Sequence, residues 1–302
     1  MHGAYDRLAA ILRRTGLLDT RLRWAGGRTH LVQLGDVVDR GADSRKALDL
    51  LRRLEQEADA AGGQVHALIG NHEVMRLLGD WRFVVPGEYE AFVTPDSIRQ
   101  RQAVLDGATP EALEPLKDMP LGSLEMREAF SPRGDYGSWI GKHDTVVRID
   151  GIVFVHGGIS PSIAAQSCDA INATVRRELT GDLEKTRTEP LASLAAREDG
   201  PLWYRGLAQE PDTFGPSLDT ILQQQGARAV VVAHSVTSDG RIRARFGSRV
   251  MQIDTGMQPA YVTGGRASAL DIHNGRWTAV YEDRTETMAG PPAGKAAERS
   301  QP

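Results

Sequence analysis

Residues 29–73 confine the chain to a small set of folds. The stretch "RTHLVQLGD" reads as a buried strand ending in Gly-Asp, and "QVHALIGNHE" as a second strand running into a polar loop. Between them, "DSRKALDLLRRLEQEADAAGG" sets Ala47, Leu50, Leu51 and Leu54 on one helical stripe, with Asp43 or Ser44 as the expected N-cap and glycines at the end. Strand, helix and strand in that order make a βαβ unit. Its polar residues then fall at the strand C-termini, where open α/β sheets gather ligands.

The remaining chain extends this pattern. Residues 4–17 place Leu8, Ile11 and Leu12 on one helical face. Residues 74–142 are irregular and mostly helical, punctuated by Pro86, Pro95, Pro110, Pro115, Pro120 and Pro132, and read as an insertion at about 74–145 that caps one end of the sheet. Asp150-Gly151 in "VVRIDGIVFVHGG" and Asn274-Gly275 in "ALDIHNGRWTAVYED" each sit between apolar runs, the signature of a two-residue hairpin. "ARAVVVAH" and "SRVMQID" read as further strands and residues 161–179 as a helix. The expected fold class is α/β, with two packed mixed β-sheets flanked by helices in a single domain over residues 1–285. From residue 286 the polar, Pro-, Ala- and Gly-rich sequence is expected to be a disordered tail over 286–302.

Composition narrows the partners. The net charge of −4 comes from interspersed charges of both signs, which offers no broad basic face for nucleic acid. The apolar runs are far shorter than the roughly 20 residues of a membrane span, so no membrane partner is expected. Cys168 is the only cysteine, which suits a reducing compartment. The chain as it stands reads as cytoplasmic, with periplasmic as the alternative if a signal peptide lies upstream.

Candidate chemistry sits at four loops. In "GDVVDRG", residues 35–41, Gly35 permits a sharp turn, Asp36 and Asp39 supply two carboxylates, and Arg40 offers a planar fork suited to phosphate. Alone, this is equally well a turn whose aspartates cap backbone amides. "GNHE", residues 70–73, ends the neighbouring strand. Asn71 can offer a carbonyl oxygen to a metal, and His72 can carry a proton. "HGG" at 156–158 and "VAH" at 232–234 put His156 and His234 at the ends of apolar strands. Of the eight histidines, His2, His72, His156 and His234 occupy such positions, whereas His30, His66, His143 and His273 are expected to be structural.

The set "GDVVDRG", "GNHE", "HGG" and a later strand-end histidine resembles the calcineurin-like metallophosphoesterases, and within them the phosphoprotein phosphatase family. "GPLWYRG" at 200–206, "NHEVMRLLGD" and "IDTGM" are similar to its Shewanella-like bacterial branch. The resemblance implies a sandwich of two sheets and a metal-dependent phosphatase that acts on phosphoproteins by attack of a metal-bridging hydroxide. It implies two divalent metal ions as cofactors, which the mixed N and O ligands would make Mn, Fe or Zn. Asp36 would bridge them, His2 would bind the first, and Asn71, His156 and His234 the second. His72 would protonate the leaving group with Asp39 fixing its tautomer, while Arg40, Arg205 and Asn71 would hold the phosphate. For Arg205, a surface arginine stacked beside Trp203 and Tyr204 stays open, and Asp254 and Tyr261 are read as turn and packing residues. The substrate partner is a phosphorylated protein or a small phosphate ester. A dinucleoside polyphosphate hydrolase and a non-catalytic phosphate-binding relative are the alternatives. The oligomeric state is left open.

The family's first motif, G-D-x-H-G, has only its last residues here, with Met1 at the x position. Its aspartate and the first strand are therefore expected to be missing from this chain. Either the start is artificial, which is favoured, or a true loss leaves a vacant place in a sheet and unpaired groups on its neighbours.

Overall fold

The computed structural model describes residues 1–292. β1 (His30–Gln33) and β2 (Gln64–Ala67) pair in parallel and are joined by α2 (Ser44–Ala60), so the βαβ unit forms as its periodicity requires. Ala47, Leu50, Leu51 and Leu54 are buried along α2, and α1 (Tyr5–Arg14) buries Leu8, Ile11 and Leu12. Asp43 occupies the N-cap position of α2, but its backbone (φ −99°, ψ 26°) is not extended and its carboxylate caps nothing. It pairs with Lys46 at 2.7 Å instead.

Five strands form the largest sheet, in the order β3-β4-β5-β7-β6. These are β3 (Val146–Ile149), β4 (Ile152–Val155), β5 (Ala229–Val232), β6 (Arg243–Arg245) and β7 (Val250–Gln252). β4, β5 and β7 run parallel while β3 and β6 are antiparallel to their neighbours, so the sheet is mixed. An antiparallel sheet holds β8 (Ser268–His273), β9 (Arg276–Tyr281) and β10 (Thr285–Met288). Both predicted hairpins are present. Asp150 and Gly151 have φ of 50° and 71°, and Asn274 and Gly275 of 49° and 76°, the left-handed pair that a type I′ turn requires.

The strands thus fall into three hydrogen-bonded groups where two sheets were expected. Among the described residues β1 pairs only with β2, and β8 only with β9. Both strands line an elongated cavity of about 990 Å³, with Leu8, Ile11 and Leu12 of α1 and Phe154, Val231 and Ile253 completing its walls. The His2 N–H donates to the Asp36 carbonyl at 2.7 Å and the Gly3 N–H to that of Val37 at 2.8 Å, so the chain enters parallel to the segment after β1.

Across residues 74–145 short helices alternate with loops, α3 (Asn71–Leu77) leading into α4 (Pro86–Glu90), α5 (Ser97–Asp106), α6 (Pro110–Lys117), α7 (Ser123–Ala129) and α8 (Asp135–Ile140). The helix expected over 161–179 is shorter. It is α9 (Cys168–Thr180), because Ser167 Oγ accepts the Ala170 N–H and caps it there. α10 (Leu183–Thr188), α11 (Gly206–Gln209) and α12 (Gly215–Gln225) follow. The tail expected from residue 286 is not what residues 286–288 form. Residues 286–288 belong to β10, whose alternation turns Met288 onto the cluster around Trp277. Residues 293–302 lie outside the described residues. Among the described residues no helix is long and apolar enough to cross a membrane.

Candidate active site

The site forms where β1, β2, β4 and β5 end. The loop after β1 is strained: Asp36, Asp39 and Arg40 take φ of 55°, 70° and 65°, and His2 and His234 are left-handed at 56° and 61°. Non-glycine residues in this region cost about 1–3 kcal/mol each and persist only where surrounding contacts hold them. The loops after β1 and β2 also touch, since a Cβ on Gly35 would stand 2.3 Å from the Gly70 nitrogen.

Glu73 is what holds the strained loop. Its buried carboxylate accepts the N–H groups of Asp36 at 2.8 Å, Val37 at 2.7 Å, Val38 at 3.2 Å and Gly70 at 2.9 Å. No role was read for it from sequence, although a glutamate at N3 of α3 is the second half of a capping box.

His2, Asp36 and His72 form one cluster of potential metal ligands, and Asp36, His156 and His234 form another, with the ligand atoms in each within 4.8 Å of one another. Asp36 is common to both. Its Oδ2 lies 3.5 Å from His2 Nε2 and its Oδ1 lies 3.3 Å from His156 Nε2. His156 Nε2 is also 2.9 Å from Asn71 Oδ1 and 3.2 Å from His234 Nδ1. His156 Nδ1 donates to the Leu34 carbonyl at 2.5 Å, and His2 Nδ1 to that of Val38 at 3.0 Å. These bonds leave the Nε2 lone pairs aimed inward. Carboxylate, amide oxygen and imidazole nitrogens therefore converge, an arrangement that suits a cation. The donors fit a divalent ion of borderline hardness.

Electrostatics supports this assignment. Burial alone would raise the Asp36 pKa, but the facing His156, His2 and His72 outweigh it and hold the carboxyl well below its ordinary range. Burial pushes His234 down to about 2, assisted by His156 and Arg205. Burial also lowers His2 well below 6.5, opposed by the facing Asp36 carboxylate. Neutral imidazoles beside an ionised carboxylate are the forms that bind metal. In metal-free protein, unfolding releases His2 and His234 to protonate near their ordinary value of 6.5. The unfolded state then binds more protons, so stability is lost as pH falls below about 6.5, by at most about 1.4 kcal/mol per pH unit for each ring. Asp36 continues the loss below its ordinary 3.8. Urea unfolding of chelator-treated protein at pH 5, 6 and 7.5 measures this slope; a flat profile contradicts it.

Beside these clusters His72 Nδ1 donates to Asp39 Oδ2 at 2.6 Å, and its Nε2 faces the pocket 3.3 Å from Arg40 Nη2. The Arg40 guanidinium lies over Tyr261 at 3.6 Å and Phe83 at 4.9 Å. Tyr261 therefore lines the site rather than only packing beside it. Arg205 donates to the His234 carbonyl at 2.8 Å and to Ser235 Oγ at 3.2 Å, which ties it to the His234 loop and not to a stack on Trp203 or Tyr204. Asp254 makes the expected turn, accepting the Gly256 N–H at 3.1 Å, and also reaches the pocket wall. The pocket, about 260 Å³, brings together His2, Asp36, Arg40, Asn71, His72, Arg205 and His234, with His156 behind it.

The other histidines are elsewhere. His30 and His66 stack at 5.3 Å, His143 lies 3.4 Å from Glu55, and His273 lies 3.0 Å from Asn274.

A family model described as calcineurin-like phosphoesterase matches residues 1–238. Shewanella-like protein phosphatase 2 of Arabidopsis thaliana is 27% identical over 285 residues, covering 87% of this chain and 71% of the relative. An uncharacterized protein of Schizosaccharomyces pombe is 30% identical over 287 residues, covering 93% and 78%. Among solved structures, the cold-active protein-tyrosine phosphatase of a psychrophilic Shewanella species superposes with a TM-score of 0.75 at 29% identity, over 95% of this chain and 78% of that one. A serine/threonine phosphatase of Saccharomyces cerevisiae, at 13% identity and a TM-score of 0.52, shares the fold. With a family match over most of its length and relatives that are phosphatases, this chain belongs to the calcineurin-like phosphoesterase family and is a hydrolase of phosphoric esters.

Proposed function

We propose that the protein is a two-metal phosphoprotein phosphatase with a preference for aryl phosphates such as phosphotyrosine. The observation that carries the metal assignment is Asp36, one carboxylate shared by two ligand clusters beside a histidine–aspartate pair. His2 and Asp36 would hold the first metal, beside His72, and Asp36, Asn71, His156 and His234 would hold the second. When bound, two Mn, Fe or Zn ions supply an activated water nucleophile and positive charge for the phosphoryl oxygens. His72 delivers a proton from Nε2 to the leaving oxygen, while Asp39 holds Nδ1 and keeps the ring aimed at the pocket. Arg40, Arg205 and Asn71 bind the phosphoryl group.

The preference for an aromatic ester is supported by Phe83, Trp203 and Tyr261, which line the pocket. Solved relatives titled protein tyrosine phosphatases agree with it. Residues 1–285 act as one unit in this reading, the insertion supplying Phe83 to the pocket wall. The test is phosphate release from phosphotyrosine peptide, phosphoserine peptide and diadenosine tetraphosphate, with Mn²⁺ and after chelation. Phosphotyrosine is expected to turn over fastest, to fail with chelator and to recover with Mn²⁺. Faster hydrolysis of the dinucleotide would replace the reading, and binding without turnover would make the protein a phosphate reader.

A further inference from the structure

We infer that Arg76 and Glu88 are positioning residues that lock the Asp39–His72 pair, a role that rests on reading His72 as the proton donor. Arg76 follows His72 by four residues on α3, so both side chains leave the same helix face. Its Nη2 binds Asp39 Oδ1, while Asp39 Oδ2 lies 2.6 Å from His72 Nδ1. The two oxygens of one carboxylate are thus engaged by two residues of one helix, and Asp39 cannot rotate without losing one of them.

Glu88 completes the lock from α4. Its Oε2 accepts from Arg76 Nη2 at 3.0 Å and from the Asp39 N–H at 3.3 Å, so it grips both the arginine and the backbone of the residue that the arginine holds. Trp81 and Phe130 stand 5.2 and 5.0 Å from the guanidinium carbon, and Met126 Sδ lies 3.4 Å from Nη1. Arg76 and Asp39 are essentially unexposed, and Glu88 is 1% exposed. Burial opposes the charge on Arg76, and Asp39 and Glu88 outweigh it and raise its pKa. Water cannot substitute for either partner in so dry a place, and an unpaired carboxylate oxygen there is costly. The insertion therefore reaches beneath the dyad as well as walling the pocket.

The consequence is specific to one part of the reaction. As the P–O bond breaks, the proton on His72 Nε2 passes to the ester oxygen, a transfer that matters for a basic leaving group and little for one that departs as a stable anion. Loosening Asp39 should therefore penalise phenyl phosphate and spare 2,4-dinitrophenyl phosphate.

The experiment measures kcat and KM for both esters in Mn²⁺-loaded wild type, His72→Asn, Arg76→Met, Arg76→Lys and Glu88→Gln. Arg76→Met is expected to lower kcat on phenyl phosphate about 10²-fold and Glu88→Gln about tenfold, within the ~10²–10⁴-fold of a positioned proton donor, with KM unchanged and dinitrophenyl phosphate slowed less than about threefold. Arg76→Lys and Glu88→Gln carry the test if Arg76→Met does not fold. Should His72→Asn slow both esters equally, the proton-donor reading fails and takes this inference with it. Should His72→Asn discriminate while the Arg76 and Glu88 variants slow both esters equally, or neither, the inference alone is overturned.

Discussion

Asp36→Asn is expected to abolish tight Mn²⁺ binding and to lower phosphate release on the order of 10³-fold, since losing several kcal/mol of metal-dependent stabilisation costs a decade per 1.36 kcal/mol. The substitution is nearly isosteric. An amide oxygen can still accept the His72 N–H that Asp36 Oδ1 now takes at 3.2 Å, so the loop should keep its course. What disappears is the carboxylate common to both clusters. An amide NH₂ would then stand against His2 or His156, each of which presents a lone pair. Titration calorimetry with Mn²⁺ and steady-state turnover on an aryl phosphate give the answer. Wild-type affinity together with wild-type turnover would refute the assignment of Asp36.

Glu73→Ala tests the support of the same loop and should show first in stability. Four backbone N–H groups converge on the Glu73 carboxylate. Removing it leaves buried donors without an acceptor, at about 1–3 kcal/mol for each that water cannot reach, so a loss on the order of 4 kcal/mol or more is expected. Glu73 holds the amide of the left-handed Asp36, and activity should fall with stability as the Asp36 carboxylate drifts. Glu73→Gln, which keeps an oxygen but turns an NH₂ toward some of the donors, should fall between. Urea unfolding measures both variants. An alanine variant within about 1 kcal/mol of wild type would mean that the loop finds its support elsewhere.

The hairpins show what a short window can settle. Asp150-Gly151 and Asn274-Gly275 adopt left-handed φ because those residue types tolerate it, and the apolar alternation on either side sets the register. The end of the chain shows the opposite. Residues 286–288 look like tail by composition, yet β9 offers them an edge and Trp277 offers Met288 a surface. Arg205 likewise had two readings, a phosphate ligand implied by the resemblance and a surface arginine stacked beside Trp203 and Tyr204, and the fold brings it against the His234 loop.

The order of strands and helices and the places of the polar loops can be read from periodicities of two and 3.6 residues and from turn chemistry, all local, whereas the roles of the residues on those loops came from a family resemblance. Which of these residues meet is a matter of the folded chain. Asn71 reaches His156 across 85 positions and His156 reaches His234 across 78, and neither distance leaves a periodic trace in the chain. The same holds for Arg76 and Glu88, an ordinary helical arginine and an ordinary glutamate near a proline until α4 folds beneath α3 and places both against Asp39. It holds also for the cavity that β1 and β8 both line, because a strand edge without a partner among the described residues can be recognised only once the other strands have found their neighbours.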